Sequence, residues 1–370
     1  MINENRTSIV RPVFKVVVGG VDVTQRLESH LSSMTLVACR EDHADQLDLE
    51  FEDTAGRIAM PRKGVNIEVS LGFDIAGMCL QGSYVVDEVE HRGAPDTISV
   101  RARSARVSGP LATRKERSWS DTTVGHIVSV IAGEHGLKPR VAGALASQPV
   151  SQLDQTESDM SLLRRLGKHW DAVATVKNGT LIFAPIGHGK TAGGTDLPAL
   201  TLHRGSGDRH HFQEIDRSAY TGVRARWYDI NGARGHLALA GKNGHVKILR
   251  GDFSTEADAK RAAEAEMARV KRGAATFTLD LAIGRPDIFP EMPVKLVGWP
   301  DAITTYEWIV SKVTHKLDGN GGYLTSLELE NKAAASDHAA MDDGEDSDAD
   351  SFSTVAATDE QRPATIAQAA

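Results

Sequence analysis

The sequence predicts a mainly β protein: two related β units, each a barrel or a sandwich, separated by an α+β insertion. Three observations carry the prediction. First, short alternating segments dominate the first hundred residues, as in Leu47-Asp48-Leu49-Glu50-Phe51-Glu52 and Ile98-Ser99-Val100-Arg101-Ala102-Arg103-Ser104. Each puts its apolar residues on one face, and a closed or double-layered sheet buries one face of every strand. Second, one β passage occurs twice. Tyr84-Val85-Val86-Asp87-Glu88-Val89-Glu90-His91 is matched in type by Trp308-Ile309-Val310-Ser311-Lys312-Val313-Thr314-His315. Each copy follows a strand entered through proline and left on glycine, Pro61 to Gly72 and Pro290 to Gly298. Third, helical spacing replaces alternation between the two copies. A unit built twice, far apart in the chain, suits a pseudo-symmetric assembly surface better than a catalytic centre, because chemistry seldom needs two copies.

Taken in order, residues 1–112 are predicted to form the first β unit. Phe14 to Val18 and Val21 to Thr24 flank Gly19-Gly20, whose positive backbone angles permit a tight hairpin. Residues 113–213 form the insertion and an irregular loop. Asp121 or Thr122 caps a helix carrying Val124, Ile127, Val128 and Ile131, which Gly136 and Pro139 stop. Ser158 caps a second helix with Leu163, Leu166 and Trp170 on one stripe. Val173–Val176, Asn178-Gly179 and Leu181–Phe183 read as a hairpin, and the glycine- and histidine-rich stretch 186–213 as loop. Residues 214–331 form the second β unit, interrupted by a helix from Thr255 to Arg272. Thr255 with Asp258 approximates a capping box, and Arg269, Lys271 and Arg272 complement the helix dipole at its end. Its thin apolar face, Ala259, Ala263, Met267 and Val270, suits the outside of a barrel or an interface. Residues 332–370 are rich in Ala, Ser and Asp, with Asp342, Asp343, Glu345, Asp346, Asp348 and Asp350 clustered, and are expected to be a disordered acidic tail.

Composition bounds the function. At 370 residues, 41% hydrophobic and 25% charged, the chain has the makeup of a globular protein with two or three domains. A net charge of −8 gives no general reason to expect nucleic-acid recognition. Two cysteines, Cys39 and Cys79, cannot supply a four-ligand zinc site and are expected to be free, buried thiols. No apolar run is long enough for a signal peptide or a membrane span.

No catalytic, cofactor-binding or metal-binding residue is predicted. Ala184-Pro185-Ile186-Gly187-His188-Gly189-Lys190-Thr191 imitates a phosphate-binding loop, but alanine stands where its first glycine belongs, and Ala192-Gly193-Gly194 cannot continue as a helix. Glu134-His135 lacks a second histidine one turn away, and His210-His211 point apart on a strand. His91 and His315 occupy equivalent places in the repeat, which predicts packing or hydrogen-bonding roles. Glu157 and Asp159 sit where a helix start favours acids, so capping is expected of them. Ser104, Ser108 and Ser118 fall in no nucleophile-elbow pattern. The basic stretch Arg101, Arg103, Arg106, Arg114, Lys115 and Arg117 lacks interleaved aromatics. It reads as a solvated or subunit-facing surface, to which Asp48, Glu50 and Glu52 of another subunit could pair.

The passage Leu153-Asp154-Gln155-Thr156-Glu157-Ser158-Asp159-Met160-Ser161-Leu162-Leu163-Arg164-Arg165-Leu166, followed by Trp170-Asp171-Ala172 and a hairpin, resembles the late control D family of contractile-tailed phages. Leu162-Leu163 replaces the usual Phe-Leu, and Gly167 stands near the usual alanine. Val23-Thr24, Ala44 to Leu49 with Asp53, Gly284-Arg285-Pro286-Asp287 and Gly321-Gly322-Tyr323-Leu324-Thr325 also match, so the likeness spans about residues 10–331. The chain is similar too to the N-terminal part of the valine-glycine repeat spike proteins of type VI secretion.

The resemblance implies a structural baseplate hub with no cofactor. It implies that residues 1–112 and 214–331 are two related tube-like β-barrel domains, and a homotrimer whose six such units meet the hexameric tail tube while its threefold symmetry meets the trimeric spike. The tail tube protein, spike protein, tape-measure protein and other baseplate proteins are the implied partners, with DNA passing non-specifically through the lumen and no membrane insertion by this chain. Assembly in the host cytoplasm and a final place in the virion tail baseplate follow. No spike-like sequence follows Lys332, so the spike is expected on a separate chain. The competing readings are a tail-associated cell-wall hydrolase, which would need an acid and base paired in a pocket, and a glycan-binding module on the insertion.

Overall fold

In the computed structural model, residues 11–40, 44–54, 56–104, 110–177, 179–215, 220–229, 232–318 and 322–332 are described. The first β unit comprises β1 (Pro12–Val18), β2 (Val21–Asp22), β3 (Leu31–Cys39), β4 (Gln46–Glu52), β5 (Asn66–Phe73), β6 (Gly77–Arg92) and β7 (Thr97–Arg103), with a short helix α1 (Thr24–Leu27) before β3. Alternation decides its core as expected: Leu47, Leu49 and Phe51 of β4 and Ile98, Val100 and Ala102 of β7 are buried, while the acids and arginines between them face outward. Gly19 and Gly20, both at positive φ, make the β1–β2 turn.

The insertion contains β8 (Arg117–Thr123), α2 (Val124–Glu134), β9 (Lys138–Val141), α3 (Gly143–Ala146), β10 (Pro149–Gln155), α4 (Asp159–Trp170), β11 (Ala172–Lys177) and β12 (Thr180–Pro185). Val124, Ile127, Val128 and Ile131 of α2 and Leu162, Leu163 and Leu166 of α4 share one core with Leu181 and Phe183 of the hairpin. Thr123, one residue beyond the expected cap, accepts the His126 N–H at the start of α2; Ser158 accepts that of Ser161, as expected. A Cβ on Gly167 would lie 2.4 Å from the Ala172 carbonyl oxygen, so close helix–strand approach requires glycine there. Asn178 of the hairpin lies outside the described residues.

Next come β13 (Leu200–His203), β14 (Gly207–Glu214), β15 (Gly222–Asp229), β16 (Arg234–Gly241), β17 (Val246–Phe253), α5 (Glu256–Arg272), β18 (Ala275–Leu281), β19 (Pro293–Val297), α6 (Asp301–Thr304), β20 (Trp308–Asp318) and β21 (Gly322–Asn331). The loop expected over 186–213 therefore holds two strands. β14, Gly-Asp-Arg-His-His-Phe-Gln-Glu, is an edge strand with almost every residue at least half exposed, so it carries no apolar alternation to reveal it. Helix α5 begins at Thr255, whose hydroxyl accepts the Asp258 N–H. Its alanine face packs on the three-stranded sheet β16-β15-β17, in a core of Val223, Ala225, Ala238, Ala240, Ala259 and Ala263.

One 13-stranded sheet carries both β units, in the order β14-β18-β21-β20-β3-β4-β7-β6-β5-β1-β2, with β19 on β20 and β13 on β19. The order is open. Among the described residues no pairing joins its ends, so the closed barrels implied by the resemblance are not formed by strand pairing within them. Alternation determines which face is buried; it does not determine whether the last strand meets the first. Residues 333–370, the expected disordered tail, lie outside the described residues.

Candidate functional site

The duplicated passage occupies β6 and β20, and the likeness extends to their neighbours. Tyr84 stands opposite Ile67 of β5, and Trp308 opposite Val294 of β19. Both aromatics are about 1% exposed. The ladder from β6 to β7 slips between Val86 and Glu88, and that from β20 to β21 slips between Val310 and Lys312. The bulged residues are thus Asp87 and Ser311, the same position of the repeat. Val86 exchanges backbone hydrogen bonds with Gly64 and Val65 (2.7 and 2.9 Å), and Val310 with Glu291 and Met292 (2.8 and 3.0 Å). Gly64 and Glu291 both adopt positive φ, +87° and +75°. The strand neighbours correspond as well: β3-β4-β7-β6-β5 in the first unit, β14-β18-β21-β20-β19 in the second.

One difference separates the copies. His315 is buried, its Nδ1 3.0 Å from the hydroxyls of both Tyr323 and Thr325, whereas His91 is exposed. The shared role expected for these histidines does not hold. Their backbone places correspond, but β20 is covered at this point by β3, while the matching length of β6 has only β7 beside it. Burial holds the His315 imidazole down at about 4, although a backbone hydrogen bond to Ile288 and the charge of Asp287 favour protonation.

Strand β20 is the junction of the molecule. Its start pairs with β19, and from Lys312 to Asp318 it pairs antiparallel with Cys39 to Ser33 of β3. Leu317 and Tyr323 of the second unit are buried in the core of the first. Beside the junction Arg40, its side chain 4% exposed, reaches Glu330 (2.5 Å) and Glu291 (3.4 Å). A cavity of about 780 Å³ opens there, lined among others by Arg40, Asp45, Lys177 and Glu291. Lys177 pairs with Asp45 at 3.0 Å. These four charges of the wall are thus engaged with one another in two pairs. The two cysteines are free, but neither is fully buried as expected: Cys39 is half-buried, its thiol pushed up by desolvation, and Cys79 is exposed.

A second cluster lies in the insertion, where Asp159 is fully buried. Its Oδ1 accepts from Arg117 (2.7 Å) and Gln155 (2.8 Å), and its Oδ2 lies 2.5 Å from Lys115 Nζ and 2.7 Å from His135 Nε2. Glu134 accepts from the same lysine and arginine, each at 2.7 Å. Arg117 also lies 4.4 Å over the Trp119 ring. Burial pushes the Asp159 carboxyl up, but hydrogen bonds from His135, Lys115 and Gln155 and the field of Arg117 outweigh it and leave the pKa lowered. Capping was expected of Asp159; the structure makes it the anchor joining β8, α2, β10 and α4. Glu134, His135 and Asp159 have ligand-type atoms within 4.8 Å of one another. A cation there would have to displace Lys115 and Arg117, so the donor set fits an ion-pair network better than a metal.

The basic stretch divides. Arg101 binds Asp48 (3.0 Å) and Glu88 (2.7 Å), and Arg103 binds Asp87 (2.9 Å), all within the chain. Arg101, Arg103 and Asp48 were expected to pair between subunits, but adjacent strands place each beside an opposite charge of the same chain. Lys115 and Arg117 enter the Asp159 cluster, Arg114 pairs with Glu116, and Arg106 lies outside the described residues. The phosphate-loop lookalike runs out of β12 into turns, and Lys190 meets Asp196. Residues of the quoted motifs serve turns and contacts: Thr24 accepts the Val16 N–H, Asp53 those of Arg57 and Ile58, and Tyr323 packs on Gly284, where a Cβ would lie 2.4 Å from its ring.

A duplicated β unit, fused through one strand and with its conspicuous charges spent on internal pairing, defines a structural assembly protein. The phage tail baseplate hub (GPD) family model matches residues 34–321, so the chain belongs to that family, as the resemblance implied. A probable baseplate hub protein of Escherichia phage 186 is 37% identical over 376 residues, covering 90% of this chain and 96% of the relative. A 43 kDa tail protein of prophage MuSo2 from Shewanella oneidensis shares the fold, with a TM-score of 0.65 at 14% identity over 87% of this chain and 99% of the other. An Escherichia coli component of the type VI secretion system aligns with a TM-score of 0.51 at 13% identity, covering 82% and 73% of the two chains. In its family this chain is a hub protein of the phage tail baseplate.

Proposed function

We propose that three copies of this chain close into a ring that adapts a sixfold tail tube to a threefold spike and lines the channel between them. The observation that supports this most is the duplication itself. Two β units with matching strand order, bulge position and left-handed residue let three chains offer six similar units to the tube and three identical faces to the spike. Each unit is read as a tube-like domain that completes its wall with neighbouring units. The tube protein, spike protein, tape-measure protein and other baseplate proteins are the partners in this reading, assembled in the host cytoplasm. DNA passes without sequence recognition, and the chain makes and breaks no bond.

Native mass spectrometry of the full chain bound to its spike and tube proteins tests the stoichiometry. Three hub chains per three spike chains and six tube chains are expected. Two or six hub chains would overturn the reading.

A further inference from the structure

Within the chain, the second unit joins the first by one step: the end of β20 pairs with the outer edge of β3. The same two edges exist once more, in the complementary copies. The end of β6 corresponds to the end of β20, and β14 corresponds to β3, because His210 opposes Leu279 as Met34 opposes Leu49. Leu279 and Leu49 in turn oppose Leu327 and Val100, which hold matching places after the bulge. Among the described residues, Glu88–Arg92 of β6 pair only with β7, and β14 pairs only with β18.

We infer that β14 of one chain pairs antiparallel with the Glu88–Arg92 end of β6 in a second copy of the same chain, repeating between chains the step made inside it. The inference rests on the ring reading and names the edges that close it. Carrying the β20–β3 register across gives the pairs Glu88–Ile215, Val89–Glu214, Glu90–Gln213, His91–Phe212 and Arg92–His211. No carboxylate opposes another in that register. Val89 packs half-buried at the rim of the first core and Phe212 at the rim of the second. Each would gain cover from the added strand, as Val313 and Leu317 of β20 do against β3. β14 contains no proline to block strand addition, and its charges, Asp208, Arg209 and Glu214, are of both signs, so the edge can accept a strand. The contact is head-to-tail, the kind that closes rings.

Disulfide trapping tests the register on the full chain. Directly opposed residues in an antiparallel pair lie within disulfide reach, while partners displaced by two residues fall outside it. Val89→Cys with Glu214→Cys, and Glu90→Cys with Gln213→Cys, all at edge positions, are expected to give covalent multimers on oxidation. Mass spectrometry of linked peptides separates these from disulfides of native Cys39 or Cys79. The displaced pair Glu90→Cys with His211→Cys is expected to give none. A three-chain complex by native mass without in-register links, or with links only within one chain or only in the displaced pair, overturns this pairing and leaves the ring standing. Loss of any multimer in the unmodified chain, under conditions where spike and tube are bound, overturns ring and pairing together.

Discussion

Asp159→Ala removes one carboxylate from a fully buried position and leaves Lys115, Arg117, His135 and Gln155 without their common acceptor. Glu134 still answers the two cations, but it is more exposed and lies toward solvent. Removing one partner of a buried, hydrogen-bonded pair costs about 3–5 kcal/mol, and that is the loss expected for the insertion. Asp159→Asn should cost nearly as much. Both carboxylate oxygens accept hydrogen bonds, so an amide nitrogen in either place would face a donor. The suitable assay is amide hydrogen exchange on α2 and α4, since a chain of 370 residues need not unfold in one step. Amides of these helices should exchange faster by roughly two to four orders of magnitude, while those of β4 and β7 change little. The pH dependence has a definite sign. The folded pKa is lowered, so the carboxylate's contribution is present above the unfolded value near ~3.9 and is lost as pH falls through the folded value. Protection of α2 and α4 in Asp159→Ala within ~1 kcal/mol of the parent would refute the view that this network holds the insertion together.

Three further outcomes follow from the geometry. His315 is depressed to about 4 by burial, so its folded form binds fewer protons than the unfolded chain. Stability should therefore rise by about 3 kcal/mol from pH 4 to pH 7, and His315→Gln should flatten that slope in urea titrations while His91→Gln leaves it intact. Glu291→Gly should be more stable than Glu291→Ala by about 1–2 kcal/mol, since both lose the Arg40 and Gly187 contacts but only alanine keeps a Cβ at φ +75°; equal midpoints would contradict the left-handed assignment. Arg101→Ala removes two exposed ion pairs and should change stability by less than ~1 kcal/mol, measured by the same titration.

Much of the fold was legible because the informative residues act locally. The buried sets of β4 and β7, the caps at Ser158 and Thr255 and the β11–β12 hairpin follow from two or four neighbouring positions. The duplication was legible because core aromatics and β-branched residues recur in type. What escaped depends on the partner strand. β14 lacks an alternating pattern, since only one edge is paired and its faces are largely exposed. His91 and His315 look alike in sequence and differ in burial, because β3 covers only one of them. The Asp159 network draws Lys115, Arg117, Glu134 and His135 from β8 and α2 and their approaches, and no spacing rule links those positions. A buried acid at a helix start with basic residues some forty positions upstream is the faint signal available.

Strand β20 also sets a schedule. The outer edge of β3 is made early in synthesis, yet the strand that covers it lies almost at the far end of the described chain. At ~5–20 residues per second, that edge waits for some tens of seconds on the ribosome with its hydrogen-bonding groups unmet. Polysomes bring several nascent copies close together, each carrying the same open edge of β3 and an end of β6 that pairs on one side with β7. A hub that joins its own halves by strand addition, and in the proposed ring its neighbours by the same step, must therefore delay the second joining until its last strands emerge.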